Sequence, residues 1–560
     1  MSGTGDTLTD VGSYLVVASV ISVLFAHYCN AVLMSRYIDK FEEHSKMIHF
    51  LAPRRLTHVI IMLGLLLAET SVLLIPLDVA NRSSSVYGNI GCSTWNTSCG
   101  GIDVGTMWQV IYWTIAIFII AVIPFTIFYY ESYEYEAGSD KEGSCWKQVK
   151  SALCYQMIVT VMCFIFLFVT YATTNESLIP ITTIDVKNRD SIWTSYNMQV
   201  TEVNDNMVAT AGEHVSTLTV IPVPVTFSVY MIACMSFLGW FFFVIFAGVG
   251  LIAVPTDLIN AYIEMPKEKI DVSEMERKKK SLKQRAKELK ESGELLKKQY
   301  RRNGNKIDKK LINKYKTAVF DLEKDSDKMD LVQELYEGAD ASIFSALMAY
   351  VYLLAGMISV LITFFWILHI CLYILPVAVE ASQGRPDGVP LSPFLNAYFA
   401  MYDRSIPLFG TLSILIFSFY LQMAVMKGNF RVGTRIFIIQ IHPMRVGRTL
   451  PNSILVNVSL ILATAPAISQ FCSQAFAEYI RMTDADLLFG TQIKYLKFFK
   501  PFFDYGIFTF VFLGFTVLSF LYFITCGRKV EGIDERKMLK VLQGISDDNE
   551  KKKKKWFWQK

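Results

Sequence analysis

The sequence predicts an all-α, polytopic membrane protein. It has about nine transmembrane helices, an outer N-terminus, a cytosolic C-terminus and a cytosolic antiparallel helical hairpin after the fifth helix. Three observations predict this. The 560-residue chain is 52% hydrophobic and 14% aromatic, with a mean hydropathy of +0.35, a balance that excludes a soluble multidomain enzyme. Its charged residues collect in a few blocks, so the formal net charge of +4 points to no nucleic-acid partner. Between those blocks lie nearly uncharged runs of about twenty residues, the length a helix needs to cross a hydrocarbon core about 30 Å thick.

Nine runs qualify: residues 11–34, 56–77, 107–130, 153–171, 229–254, 348–375, 407–426, 454–471 and 507–526. The fifth and sixth exceed one crossing, so those helices are expected to tilt or to project beyond the lipid. Loop charge sets the direction. The first ten residues hold Asp6 and Asp10 and no Lys or Arg, whereas the next loop holds Arg36, Lys40, Lys46, Arg54 and Arg55. The alternation continues with Arg82 alone outside and Lys141, Lys147 and Lys150 inside, and later with Lys427, Arg431, Arg435, Arg445 and Arg448 inside. One loop disagrees, since Arg481, Lys494, Lys497 and Lys500 fall on the outer side. The first run is too long for a signal core and lacks basic residues before it, so it reads as a first transmembrane helix. The chain divides into a first membrane region (1–265), a charged hairpin (266–340), a second membrane region (341–527) and a tail (528–560).

Six of the ten cysteines, Cys29, Cys154, Cys163, Cys234, Cys371 and Cys526, lie in or beside apolar runs and read as buried small residues. Cys92 and Cys99 share a short outer loop, the setting of a disulfide, with two free thiols as the alternative. Sequons occur at Asn81, Asn96, Asn175 and Asn457. Asn457 is inside an apolar run and Asn81 and Asn175 sit close to membrane ends, leaving Asn96 as the best-placed glycosylation site.

In the insert, Met275, Leu282, Leu289 and Leu296 recur every seven residues. Leu311, Tyr315, Leu322, Met329 and Val332 form a second stripe beyond the Asn303-Gly304-Asn305 turn. Residues 267–316 hold 19 basic and 8 acidic side chains, a net of +11, and residues 317–340 hold 2 and 8, a net of −6. The arms attract each other, and the surplus positive charge suits anionic lipid of the inner leaflet or an acidic partner. The alternatives are a platform for cytosolic trafficking adaptors and a solvated hairpin paired only with itself. Glu291, Leu295 and Leu296 fit an acidic dileucine sorting signal, although Leu296 also belongs to the helical stripe. At the C-terminal end, Lys551, Lys552 and Lys553 within a five-lysine run, followed by Trp556 and Trp558, combine charge with interfacial rings. That tail reads as a lipid-contacting segment or as a disordered polar end.

Ionisable side chains at membrane depth are functional candidates. They are Glu69, His27 and His369 within runs, and Asp78 and Asp257 beside Pro76 and Pro255. At those prolines a broken turn would free carbonyls for a cation or polar ligand. For the two histidines the competing reading is a neutral imidazole bonded to a neighbouring helix. No Walker loop, HExxH, GxSxG or metal-spaced cysteine cluster occurs, so no cofactor, metal or enzymatic activity is expected. Gly248 and Gly250 match a loose dinucleotide pattern but lie in a membrane helix, where glycines allow close packing.

Several ordered blocks carry a family resemblance. They are IPLDVANR at 75–82, IPFTIFYYE at 123–131, FAGVGLIAVPTDLI at 246–259, LSPFLN at 391–396, IHPM at 441–444, NSILVN at 452–457 and QFCSQAFAEY at 470–479. In these the chain resembles the limb-region-1-like membrane protein family, on its lipocalin-interacting membrane receptor (LIMR) branch. The resemblance implies nine helices, an outer amino terminus, a cytosolic coiled insert and no catalysis. It supplies no ligand motif, and it does not extend to the lysine-rich tail. Its members have been assigned endocytic uptake of lipocalins, lysosomal cobalamin export with partner proteins, and receptor trafficking. Two functions are therefore weighed: a receptor or trafficking scaffold with an extracellular or lumenal protein ligand, and a transporter or transporter subunit for a small polar ligand. Both place the chain in the plasma membrane or an endosomal or lysosomal membrane.

Overall fold

The computed structural model describes residues 3–34, 37, 53–82, 102–137, 145–186, 214–264, 272–303, 315, 318–319, 321–323, 325–326, 329, 339–382, 390–406, 408–432, 434–436, 439–442 and 449–525. The candidate disulfide Cys92/Cys99, Asn96 and the tail residues Lys551, Lys552, Lys553, Trp556 and Trp558 lie outside them. Among the described residues nine helices are long and apolar enough to cross a membrane. They are Val11–Tyr28, Arg55–Asn81, Val104–Ser132, Val149–Thr174, Phe227–Ile263, Leu347–Glu380, Phe409–Val432, Pro451–Ala475 and Ile507–Thr525. Below they are called spans one to nine.

Span eight forms the axis. It is 78% buried, while spans one and four are only 17% and 11% buried, and it packs against spans two, five and seven. The crossings are close because glycines stand at them. Gly239 of span five faces the Ala463 carbonyl, Gly250 faces the Ala424 carbonyl, and Gly428 of span seven faces the Phe246 carbonyl. A methyl group at any of the three would overlap backbone oxygen, the reason small residues dominate such interfaces.

Pro76 and Pro255 do not break their helices, which run unbroken as Pro53–Arg82 and Phe227–Glu264. This corrects the expectation of open turns, and the reason is visible. A proline leaves the carbonyl four residues earlier without its usual donor. Pro255 leaves Leu251, whose oxygen accepts from the Thr363 hydroxyl of span six at 3.1 Å. Pro124 likewise leaves Ile120, whose oxygen accepts from Gln156 Nε2 of span four at 2.6 Å. At Pro255 and Pro124 a neighbouring span thus takes up the freed oxygen.

Two β-ribbons interrupt the helices. β1 (Glu176–Val186) pairs antiparallel with β2 (His214–Pro224), and β3 (Thr434–Ile436) pairs with β4 (Ile439–His442). The sequence reading did not expect them, although β-branched Ile, Val and Thr crowd both strands of the first ribbon. In the charged insert, helix Val272–Asn303 buries Leu289 and Ser292 on one edge. Leu289 clusters with Ala318, and Leu295, Leu296, Tyr315, Val319 and Leu322 pack around the pair. Arg285 bonds Asp325 at 2.7 Å. Cys154 and Cys371 are exposed rather than buried, because they sit on outward faces of peripheral spans.

Candidate functional site

The five intramembrane candidates do not converge. Glu69 is fully buried in span two and faces span one, where the Ser22 hydroxyl donates to Oε1 at 3.4 Å and Oε2 has no partner. Asp78 lies nine residues further along, about 14 Å at the helical rise of 1.5 Å per residue. It is an anchor. Its carboxylate accepts from Trp108 Nε1 at 3.1 Å and from the backbone amides of Ala485 at 2.7 Å and Asp484 at 3.3 Å.

Asp257 sits toward the opposite end of the bundle, where it accepts from Lys427 at 2.8 Å and Arg431 at 2.9 Å. Arg431 also lies over the Phe523 ring, 4.2 Å from its centre, so one carboxylate ties spans five, seven and nine together. His369 donates from Nε2 to the Ala475 carbonyl at 2.8 Å, and Asn396 Nδ2 donates to the same oxygen at 3.3 Å. Ala475 is the last residue of its helix, so both side chains satisfy a carbonyl that has no donor within the helix. This is the bonded imidazole weighed from the sequence. His27, by contrast, is exposed on the surface of span one.

What the structure does assemble is a cap over one end of the bundle, built from residues 476–506, which sequence reasoning treated as a connecting loop. Thr483 opens it as a helix N-cap, since its hydroxyl accepts from the Asp486 amide at 3.2 Å and the Asp486 carboxylate accepts from the Met482 amide at 3.2 Å. The Thr-x-x-Asp spacing is legible in the sequence, but it forms only half a capping box, since the Thr483 amide donates to the Ile480 carbonyl at 3.2 Å and not to Asp486. The π-helical turn Asp486–Ile493 follows, and Phe489 sets its ring against Trp108 at 5.5 Å and Tyr112 at 5.8 Å. Beyond it, Leu178 of β1 donates its amide to the Tyr495 carbonyl at 2.7 Å, and the Lys497 amide donates to the Glu176 carbonyl at 2.9 Å. The cap therefore clamps the first ribbon to the bundle and is itself held by Asp78.

The electrostatics of this end follow. Asp103 is held below the usual carboxylate range by the Thr106 hydroxyl and amide it accepts from. Burial, together with the Asp103 charge, pushes Asp484 above that range. Lys497 pairs with Glu176 at 3.6 Å, while Lys494 and Lys500 lie over the Tyr495 ring at 5.2 and 5.8 Å. The four basic residues that broke the loop-charge pattern thus share the cap with four acidic ones, Glu478, Asp484, Asp486 and Asp504. Asn81 is also spoken for, since its side chain donates to the Ile102 carbonyl at 2.9 Å.

In the insert, Glu291 is exposed but Leu295 and Leu296 pack against the Leu289/Ala318 cluster. The opposite edge presents Lys280, Lys283, Lys287 and Lys290, all exposed. Among the described residues no group of His, Cys, Asp or Glu could hold a metal ion.

The sequence matches the family described as LMBR1-like membrane protein over residues 13–325 and 309–523. It is 30% identical over 491 residues to a LIMR family protein of Dictyostelium discoideum, covering 83% of this chain and 90% of that one. It is 29% identical over 527 residues to a LIMR family protein of Oryza sativa subsp. japonica, covering 92% and 96%. An Arabidopsis thaliana LIMR family protein is 31% identical over 483 residues, covering 84% and 89%. No solved structure matches. The chain is an integral membrane protein and belongs to the LMBR1-like, or LIMR, family.

Proposed function

We propose that this chain is a non-enzymatic receptor or trafficking scaffold that supports endocytosis, with its amino terminus and capped end facing outward or into a lumen and the charged insert in the cytosol. One observation carries the reading. The residues a transport path would use are dispersed, and Asp78, Asp257 and His369 are each engaged in holding helices together. The ordered structure outside the spans lies at the two ends instead, as a clamped ribbon on one and an amphipathic basic helix on the other. A ribbon fixed by a cap suits recognition of a lumenal protein, and the exposed lysine edge suits anionic lipid or an acidic adaptor. The leucines of the dileucine motif are packed in the hairpin seam, which favours the lysine edge as the docking surface. The transporter reading keeps the unpartnered Oε2 of Glu69 in its support.

Proximity labelling from a biotin ligase fused to the C-terminus of the full chain tests the proposal. We expect endocytic coat and sorting proteins among the labelled neighbours, with their signal reduced when Lys280, Lys283, Lys287 and Lys290 are replaced by Glu. Neighbours drawn from transport complexes, or labelling that the charge reversal leaves unchanged, would refute it.

A further inference from the structure

One amphipathic element is used by neither reading: the helix Phe394–Ser405 between spans six and seven. Its inner face holds Leu395, Asn396 and Phe399, all buried. Asn396 donates to the end of span eight, and the Phe399 ring meets Phe417, Phe476 and Tyr479 at 5.4 to 5.7 Å. Asp403 is turned inward, where it accepts from the Gly410 amide at 2.7 Å and from the Tyr479 hydroxyl. The outer face is mainly apolar, with Ser405 an exposed polar residue at its end. Leu391 is 75% exposed and Met401 54% exposed, and Tyr398, Ile406 and Phe409 are exposed beside them.

The depth of this face is set by the bundle. Phe409, where span seven begins, stands 18 residues from Lys427, which pairs with Asp257 at the charged end. At 1.5 Å per residue that separation is about 27 Å, close to the hydrocarbon thickness of roughly 30 Å. Span eight ends at the same level, since its final carbonyl is the one Asn396 holds. The helix Phe394–Ser405 therefore lies at the boundary of headgroups and acyl chains.

The exposed apolar face is also continuous with the lipid-facing surface of the flanking spans. Phe364 and Phe365 of span six are exposed, and Phe365 meets Phe394 at 6.4 Å. Tyr398 meets Tyr402 at 4.4 Å, and Tyr402 meets Phe409 of span seven at 5.0 Å. The Tyr398 hydroxyl bonds that of Tyr402 at 2.9 Å, an apolar body with a polar edge of the kind that settles at membrane interfaces.

We propose that the helix Phe394–Ser405, with the flanking Leu391 and Ile406, is an interfacial membrane-binding element whose exposed Leu391, Tyr398, Met401 and Ile406 side chains insert between the phospholipids of the leaflet at the capped end. It lies in the membrane plane, as amphipathic helices with one apolar face do. The occupant of this surface is phospholipid, because the face continues a lipid-facing surface at lipid depth.

Photocrosslinking of the full chain tests this. Tyr398→p-benzoylphenylalanine and, separately, Met401→p-benzoylphenylalanine are reconstituted in phosphatidylcholine vesicles, irradiated and digested. The peptide carrying the substituted residue is then weighed. We expect a mass increase of one phosphatidylcholine at both positions and none at Lys283→p-benzoylphenylalanine on the insert. Crosslinks from both positions to a second copy would show that this face is a protein interface, and absence of lipid adduct at both would show that it stands in water. Either result overturns the proposal. Two separate sites guard against the failure of one variant to fold, and the outcome is independent of whether the protein is a receptor or a transporter.

Discussion

Spans four and eight make the most informative comparison in the molecule. By hydropathy span four is the more apolar, 2.4 against 1.7, yet it is 11% buried and span eight 78%. In lipid there is no hydrophobic reason for the greasier helix to go inside, because acyl chains solvate Phe and Ile as well as a protein core does. What draws span eight to the axis is its polar and small side chains. Gln470 accepts from the Ser236 hydroxyl at 2.6 Å and from Trp240 Nε1 at 2.9 Å, and Asn457, Thr464 and Ser469 are fully buried. Span four instead turns Phe164, Ile165, Phe166 and Phe168 outward. The lesson is that buried polar partners, not hydropathy, mark the centre of the bundle: span one is no more apolar than span eight, at 1.7, and is only 17% buried.

Three substitutions, with Phe166→Ala as a peripheral control, would break or sharpen that contrast. The largest effect is expected from Asp78→Ala, which leaves two backbone amides and an indole N–H at the buried anchor without their acceptor. At 1–3 kcal/mol for each of the three buried groups left unsatisfied, we expect a loss of about 3–9 kcal/mol, read as a lower unfolding temperature in detergent and faster proteolysis within residues 476–506. If the cap stayed protected, Asp78 would not be its anchor.

Next comes Gly250→Ala, where the added methyl meets the Ala424 carbonyl. Overpacking of this kind costs about 1–3 kcal/mol, whereas Phe166→Ala on the exposed face of span four is expected to stay within about 0.5 kcal/mol. Equal losses for the two would erase the distinction between central and peripheral spans.

The smallest effect concerns pH. Because burial and Asp103 raise the Asp484 carboxyl in the folded protein, the native state holds this proton more tightly than the unfolded chain, and stability falls as pH rises from the unfolded value of 3.8 through the folded one. Asp484→Asn keeps an acceptor for the Gly105 amide and removes the charge. We expect it to unfold at a slightly higher temperature than the parent at neutral pH, by no more than about 1 kcal/mol for a half-buried group, with the gain vanishing toward pH 4. A gain that grew on acidification would have the wrong sign.

The spans were legible because twenty apolar residues have few other uses, and the family because several ordered blocks survive together. The candidate site was legible only residue by residue. Asp78 stood out as an acid inside an apolar run, but its partners are the amides of residues 484 and 485, some 400 positions away, and no local pattern announces such a contact. Pro255 marked a disturbed turn correctly and its consequence wrongly, since the hydroxyl that repairs it belongs to Thr363 on another span. The Thr483 N-cap could have been found by spacing alone, and the first ribbon by its β-branched content.

The sequence by itself determined that this chain lives in a membrane, roughly where its nine long apolar helices lie, and where its positive charge collects. Those properties depend on composition over windows shorter than one crossing, which the solvent reads before any long-range contact forms. Only the tertiary structure decided which spans are central, which acids are anchors, and that residues 476–506 close over one end. Each of those outcomes requires a buried polar atom to find a partner far along the chain, and the free energy of leaving it unpaired in hydrocarbon is what selects the arrangement.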